Sequence, residues 1–120
     1  MIETTILNYL NEALDVPVLM ELPEVPSEDF PVFPQSLVII ELIGRTVENY
    51  VTNASIALQS YGATLYQAAA LDEQVRMAMD RITETTGISG AHLASNYNHT
   101  DPDTKRYRYQ CVYEIYYVKE

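Results

Sequence analysis

The sequence predicts an α+β domain in which a mostly antiparallel sheet is crossed on one face by one long helix, in the order α-β-β-β-α-β-β. Three observations predict it. Residues 106–118 alternate with period two between an aromatic row and a mostly polar row. Residues 64–85 place apolar side chains on one helical stripe. Apolar runs at 37–43 and 50–61 have strand length and are separated by a short polar stretch containing Gly44.

The elements follow from local chemistry. Ile6, Leu7, Leu10 and Leu14 give residues 3–14 the spacing of a short amphipathic helix, which Asp15-Val16-Pro17 ends because proline disfavours helix in the residue before it. Residues 18–22 read as a short strand. Residues 23–36, PEVPSEDFPVFPQS, carry Pro23, Pro26, Pro31 and Pro34, whose missing donors suit neither helix nor central strand. They form an acidic, semi-extended loop. Residues 37–43 are apolar on both faces except at Glu41, the pattern of a central strand. A turn is expected over 44–49. The strand 50–61 then puts Ala54, Ile56 and Leu58 on one face and Asn53, Ser55, Ala57 and Gln59 on the other. Thr64-x-x-Gln67 has capping-box spacing at the head of the 64–85 helix. Its stripe is Leu65, Ala68, Leu71, Val75, Ala78, Met79 and Ile82, and Thr86-Gly87 stops it. A strand over 91–97, a turn over 100–104 and the strand 105–118 complete the chain. In the last strand Tyr107, Tyr109, Cys111, Tyr113, Ile115 and Tyr117 share the face expected to meet the long helix. Arg106 and Arg108 point to the opposite side.

A chain of 120 residues, about half apolar, is read as one folded domain over 1–120. It contains no apolar run long enough to span a membrane and opens on no secretion signal, so a cytoplasm-like compartment is expected. The single cysteine excludes an internal disulfide framework. The net charge of −10 opposes non-specific binding to phosphates. The charge is also uneven. Residues 1–44 hold eight acids and no Lys or Arg, whereas residues 45–120 hold nine acids against seven bases. Arginines interleaved with tyrosines in RYRYQCVYEIYY would suit a single-stranded nucleic acid. Alternation separates the two sets onto opposite faces, however, and the basic field is missing.

No catalytic or metal constellation stands out, and no cofactor is expected. His92 and His99 lack partners at ligand spacing. Asn98, Thr100, Asp101 and Asp103 lack the glycine and closing glutamate of a calcium loop. Cys111 reads as a buried thiol, and Asp72-Glu73 as helix surface. The loop 23–36 is the exception, because a structureless stretch of this length in a compact domain is more often functional than ornamental. Phe30, Val32 and Phe33 either fold back onto their own sheet or dock on another subunit. Glu24, Glu28 and Asp29 could set register there against basic groups such as Arg106 and Arg108.

YVTNASIALQSY at 50–61, TLYQAAALDEQVRMAMDRI at 64–82, the strand ending in SNYNHTD and the closing RYRYQCVYEIYY together resemble the tail-completion proteins of long-tailed bacteriophages. These are also called tail-terminator or head–tail joining proteins. The resemblance runs from the first helix to Val118. It implies a non-enzymatic structural protein of the virion that forms a hexameric ring at the head–tail junction. That ring would contact the tail-tube protein and the head–neck connector, be assembled in the host cytoplasm, and leave a channel for DNA without specific binding. The competing reading is an acidic DNA mimic that inhibits a DNA-binding enzyme. It explains the charge directly but needs acids spaced along a rigid surface. A small enzyme with its site in the loop cleft has no residue constellation behind it.

Overall fold

The computed structural model describes residues 1–84, 87–103 and 106–118. Two helices lie on one face of a five-stranded sheet. The elements are α1 (Ile2–Ala13), β1 (Val18–Leu19), β2 (Leu37–Glu48), β3 (Val51–Gly62), α2 (Leu65–Asp80), a 3-10 turn (Ile82–Glu84), β4 (Ile88–Asn98) and β5 (Tyr107–Val118). The strand order is β1-β2-β3-β5-β4. Every pairing is antiparallel except that of β1 with β2. The α+β class and the α-β-β-β-α-β-β order are therefore as the sequence predicts.

The core lies between the sheet and the helices. Ile2, Ile6 and Leu10 of α1 and Leu71, Val75 and Met79 of α2 pack on Val38, Ile40, Ala54, Ile56, Leu58, Cys111, Tyr113 and Ile115. Alternation thus sends the Ala54, Ile56 and Leu58 face of β3 to the helices, together with Cys111, Tyr113 and Ile115 of the β5 face that the sequence assigns to them. Tyr107 and Tyr109 are the departures, the first exposed and the second half-buried, and both lie outside this cluster. The Thr64 hydroxyl caps α2 by accepting the Gln67 N–H at 3.1 Å. Gly62, just before it, passes so close to Gln67 and Ala68 that a Cβ would strike their backbone atoms.

Several boundaries differ from expectation. The first strand covers only Val18–Leu19, not 18–22. The Asn11 side-chain amide clamps Val18, donating to its carbonyl (3.2 Å) and accepting its N–H (3.1 Å), and beyond Leu19 the chain leaves for the proline-rich loop. β2 is consequently flanked on both sides only at Val38 and Ile39, so it is less central than its composition suggests. It also runs on to Glu48, absorbing the expected turn at 44–49 through a bulge between Leu42 and Gly44. The turn itself is Asn49-Tyr50, both at positive φ (51° and 69°), as a tight two-residue hairpin requires. α2 stops at Asp80 rather than 85. There the Arg81 N–H bonds the Ala78 carbonyl (3.1 Å), and the tighter 3-10 turn drops Ile82 into the core. Thr86, part of the expected stop, and Thr104 and Lys105 of the last turn and strand lie outside the described residues. β4 begins three residues earlier than expected, at Ile88.

Candidate subunit interface

The structure divides the loop 23–36 into an anchored part and a presented part. Phe33 folds back. Its ring meets Tyr61 edge-on, with centroids 6.4 Å apart, and the Arg106 guanidinium lies 4.0 Å from its centroid. With Leu19 it covers a small second cluster of Leu37, Ile39 and Tyr61 on the face away from the helices. Arg108 joins this corner by donating from Nη1 to the Tyr61 hydroxyl (2.9 Å) and from Nε to the His99 carbonyl. Phe33, Arg106 and Arg108 are thus brought together within one chain. The reason lies in the chain path. Phe33 precedes β2 by only four residues, Arg108 stands opposite Tyr61 of β3, and Arg106 immediately precedes β5 at the same end.

The rest of the loop faces solvent. Ser27 N–H donates to the Phe30 carbonyl (2.9 Å), and the Phe30 N–H donates to the Ser27 hydroxyl (3.1 Å). Glu28 and Asp29 are the two central residues of this turn. Both are exposed, as is Glu24, and none of the three has an ion-pair or hydrogen-bond partner among the described residues. Val32 is 72% exposed, while Phe30 is half-buried.

The outer face of the sheet is a ladder of cross-strand hydrogen bonds that sequence reading did not identify. The Ser55 hydroxyl lies 2.8 and 2.9 Å from the two Glu114 carboxylate oxygens, Gln59 donates to Gln110 at 2.9 Å, and Gln110 donates to the Tyr97 hydroxyl. His92 stands in register with Glu114 and packs edge-on against Tyr116 at 5.7 Å. Ser55, Glu114 and His92 therefore share one row across three strands. In a catalytic triad the imidazole stands between hydroxyl and carboxylate. Here the carboxylate takes the hydroxyl directly, so the row is a structural ladder.

Beneath α2 the expectation for one acid is corrected. Asp72 is only 1% exposed, not helix surface. Its carboxylate accepts Arg76 Nε (3.0 Å) and Asn96 Nδ2 (3.0 and 3.1 Å), and Asn96 also donates to the Gln110 carbonyl (3.2 Å). A buried charge persists when paired and hydrogen-bonded in this way. Asn96 is 24 residues from Asp72, so nothing local marks the pairing. Glu73, its neighbour, is exposed as read. Cys111 is buried, and burial pushes its thiol up to about 12, far from the reactive thiolate range. Among the described residues no group of three or more His, Cys, Asp or Glu could hold a metal ion. No helix among them is long and apolar enough to cross a membrane.

At the other end of the sheet the β2–β3 hairpin projects, and Ile43, Val47 and Tyr50 are exposed along it. An open cavity of about 610 Å³ lies at its base, lined in part by Arg45, Val47, Thr52 and Tyr117. Single-strand patterns do not show where a sheet outruns its helices, and this cavity has no sequence signal.

No family model matches the chain, and no curated protein matches it. Among solved structures it is similar to a chain of the "Virion of native gene transfer agent (GTA) particle". The TM-score is 0.48 at 8% identity, over 95% of this chain and 84% of that one.

Proposed function

We propose that this protein is a structural subunit of a phage-type virion, a ring-forming tail-completion protein that joins the tail tube to the head–neck connector around a DNA channel. The observation that carries the reading is the divided loop. Its C-terminal part is pinned by Phe33 beneath Arg106, while Glu24, Glu28, Asp29 and Val32 are held out unpartnered. Apolar and charged groups presented on a proline-stiffened segment lose little entropy on docking, which suits a permanent subunit contact. The resemblance in the segments at 50–61, 64–82 and 106–117 supports a position for that contact in a phage neck. The net charge of −10 is compatible with DNA passing such a ring without adhering.

The test replaces residues 24–32 by a Gly/Ser linker and keeps Phe33. The variant should melt within a few degrees of the parent, since the loop's main core contact remains. Ring formation, read by analytical ultracentrifugation and native mass spectrometry, should be lost, along with attachment to tail tubes in a complementation assay. A variant that still assembles infectious particles would overturn the loop's role. A wild-type protein that stays monomeric at high concentration and blocks a nuclease would favour the DNA-mimic reading instead.

A further inference from the structure

The sheet is longer than the helices that cover it. β2 and β3 continue as a hairpin, and register keeps Arg45, Val47 and Thr52 of that hairpin, and Tyr117 of β5, on the same side as the core residue Ala54. Together with Ile2 and Thr5 at the N-terminal end of α1, and with Ile88, they wall the open cavity. Two features distinguish it from a gap in packing. Thr52 is 2% exposed, yet its hydroxyl has no hydrogen-bond partner. A buried hydroxyl left in this state is unfavourable, and a ligand oxygen relieves it. Arg45 is likewise unengaged among the described residues. The other described arginines are all occupied, Arg76 with Asp72, Arg81 with Glu84, Arg106 over Phe33 and Arg108 on Tyr61. A guanidinium and a hydroxyl above an apolar floor suit a carboxylate carried on a short aliphatic stem.

We propose that this cavity receives the acidic turn of the 23–36 loop of a second copy of the chain. Glu28 and Asp29 sit at the apex of the Ser27–Phe30 turn, exposed and unpaired, with exposed Val25 and Val32 nearby in sequence. They are the complement of the cavity in charge and polarity. The loop cannot fill the cavity of its own chain. It enters β2 at Leu37, whereas Val47 lines the cavity ten residues further along the strand, a distance of roughly 33 Å. Loop and cavity therefore occupy opposite ends of a molecule 44 Å long. Contact between them is head-to-tail, the kind that closes a ring when its rotation permits. This assignment rests on the ring reading above in that it names the surface the neighbour offers.

The experiment measures self-association of the full chain by sedimentation, for the wild type, for Arg45→Glu, and for Arg45→Glu combined with Glu28→Arg and Asp29→Arg. Arg45 is exposed, so the melting curve should be unchanged. Removing its charge complement should weaken association by about tenfold or more, and the charge-swapped chain should recover it. If Arg45→Glu associates like the wild type, or the swap restores nothing, the loop-to-cavity contact is overturned and the ring reading stands. If the wild type does not associate at all, the ring reading fails and a second arm decides the site. A synthetic peptide of residues 21–34 is titrated into isotope-labelled protein. Shifts at Arg45, Thr52 and Tyr117 that vanish in Arg45→Glu support the cavity as its receptor. Shifts elsewhere, or none, overturn it.

Discussion

Tyr113 is fully buried at the centre of β5 and joins the sheet to α2. Its ring lies in the main core, and its hydroxyl reaches the Asp80 carboxylate at 2.9 Å and the Arg76 carbonyl at 3.2 Å, both on α2. The two contributions separate by substitution. Tyr113→Phe keeps the ring and removes only the hydroxyl. Asp80 is exposed and can rehydrate, so the loss should be about 1–2 kcal/mol, near the lower end for hydrogen bonds to charged groups. Tyr113→Ala also opens a cavity beneath α2 and should cost about 3–5 kcal/mol, the range for large aromatic truncations. With a urea dependence of about 2 kcal/mol per molar, that moves the unfolding midpoint by roughly 2 M. Urea melts followed by circular dichroism report both losses. An Ala variant that loses less than about 1 kcal/mol would refute the placement of this face beneath the helix. A Phe variant as damaged as the Ala variant would show that the hydroxyl, and not ring packing, holds the layers together.

Alkaline pH should destabilise the fold through Cys111. Burial raises its thiol from 9.0 to about 12, so its contribution is complete below about pH 9 and is lost as pH rises through that window, at up to about 1.4 kcal/mol per pH unit. Tyr113, raised chiefly by burial, adds in the same direction above pH 10. Cys111→Ala should flatten the decline in a melting series from pH 8 to 11, and a wild-type profile already flat there would contradict the buried thiol. Tyr50→Gly should stabilise the domain by up to about 1 kcal/mol, because Tyr50 holds φ 69° in the β2–β3 turn while 88% exposed. A loss of stability in thermal melts would mean that the Tyr50 ring makes a contact the turn depends on.

What the sequence determined by itself is what a residue's near neighbours decide. Period two along 50–61 and 105–118 groups Ala54, Ile56 and Leu58 on one face and puts Cys111, Tyr113 and Ile115 on the face that meets the long helix, because successive strand side chains point to opposite sides. Helical spacing located α1 and α2, and Thr64 declared its cap three residues ahead of Gln67. Composition alone marks 23–36 as a proline-stiffened acidic loop. Tertiary structure alone decided what depends on residues far apart in the chain. It set β5 between β3 and β4 and cut β1 to two residues. It buried Asp72 against Asn96 and drew Phe33, Arg106 and Tyr61 into one corner. It also brought Arg45 and Thr52 into one cavity with Ile2 and Thr5 of α1. Periodicity expresses the geometry of one element, whereas these outcomes follow from which elements meet and where each one ends, and that is fixed by packing between segments dozens of residues apart.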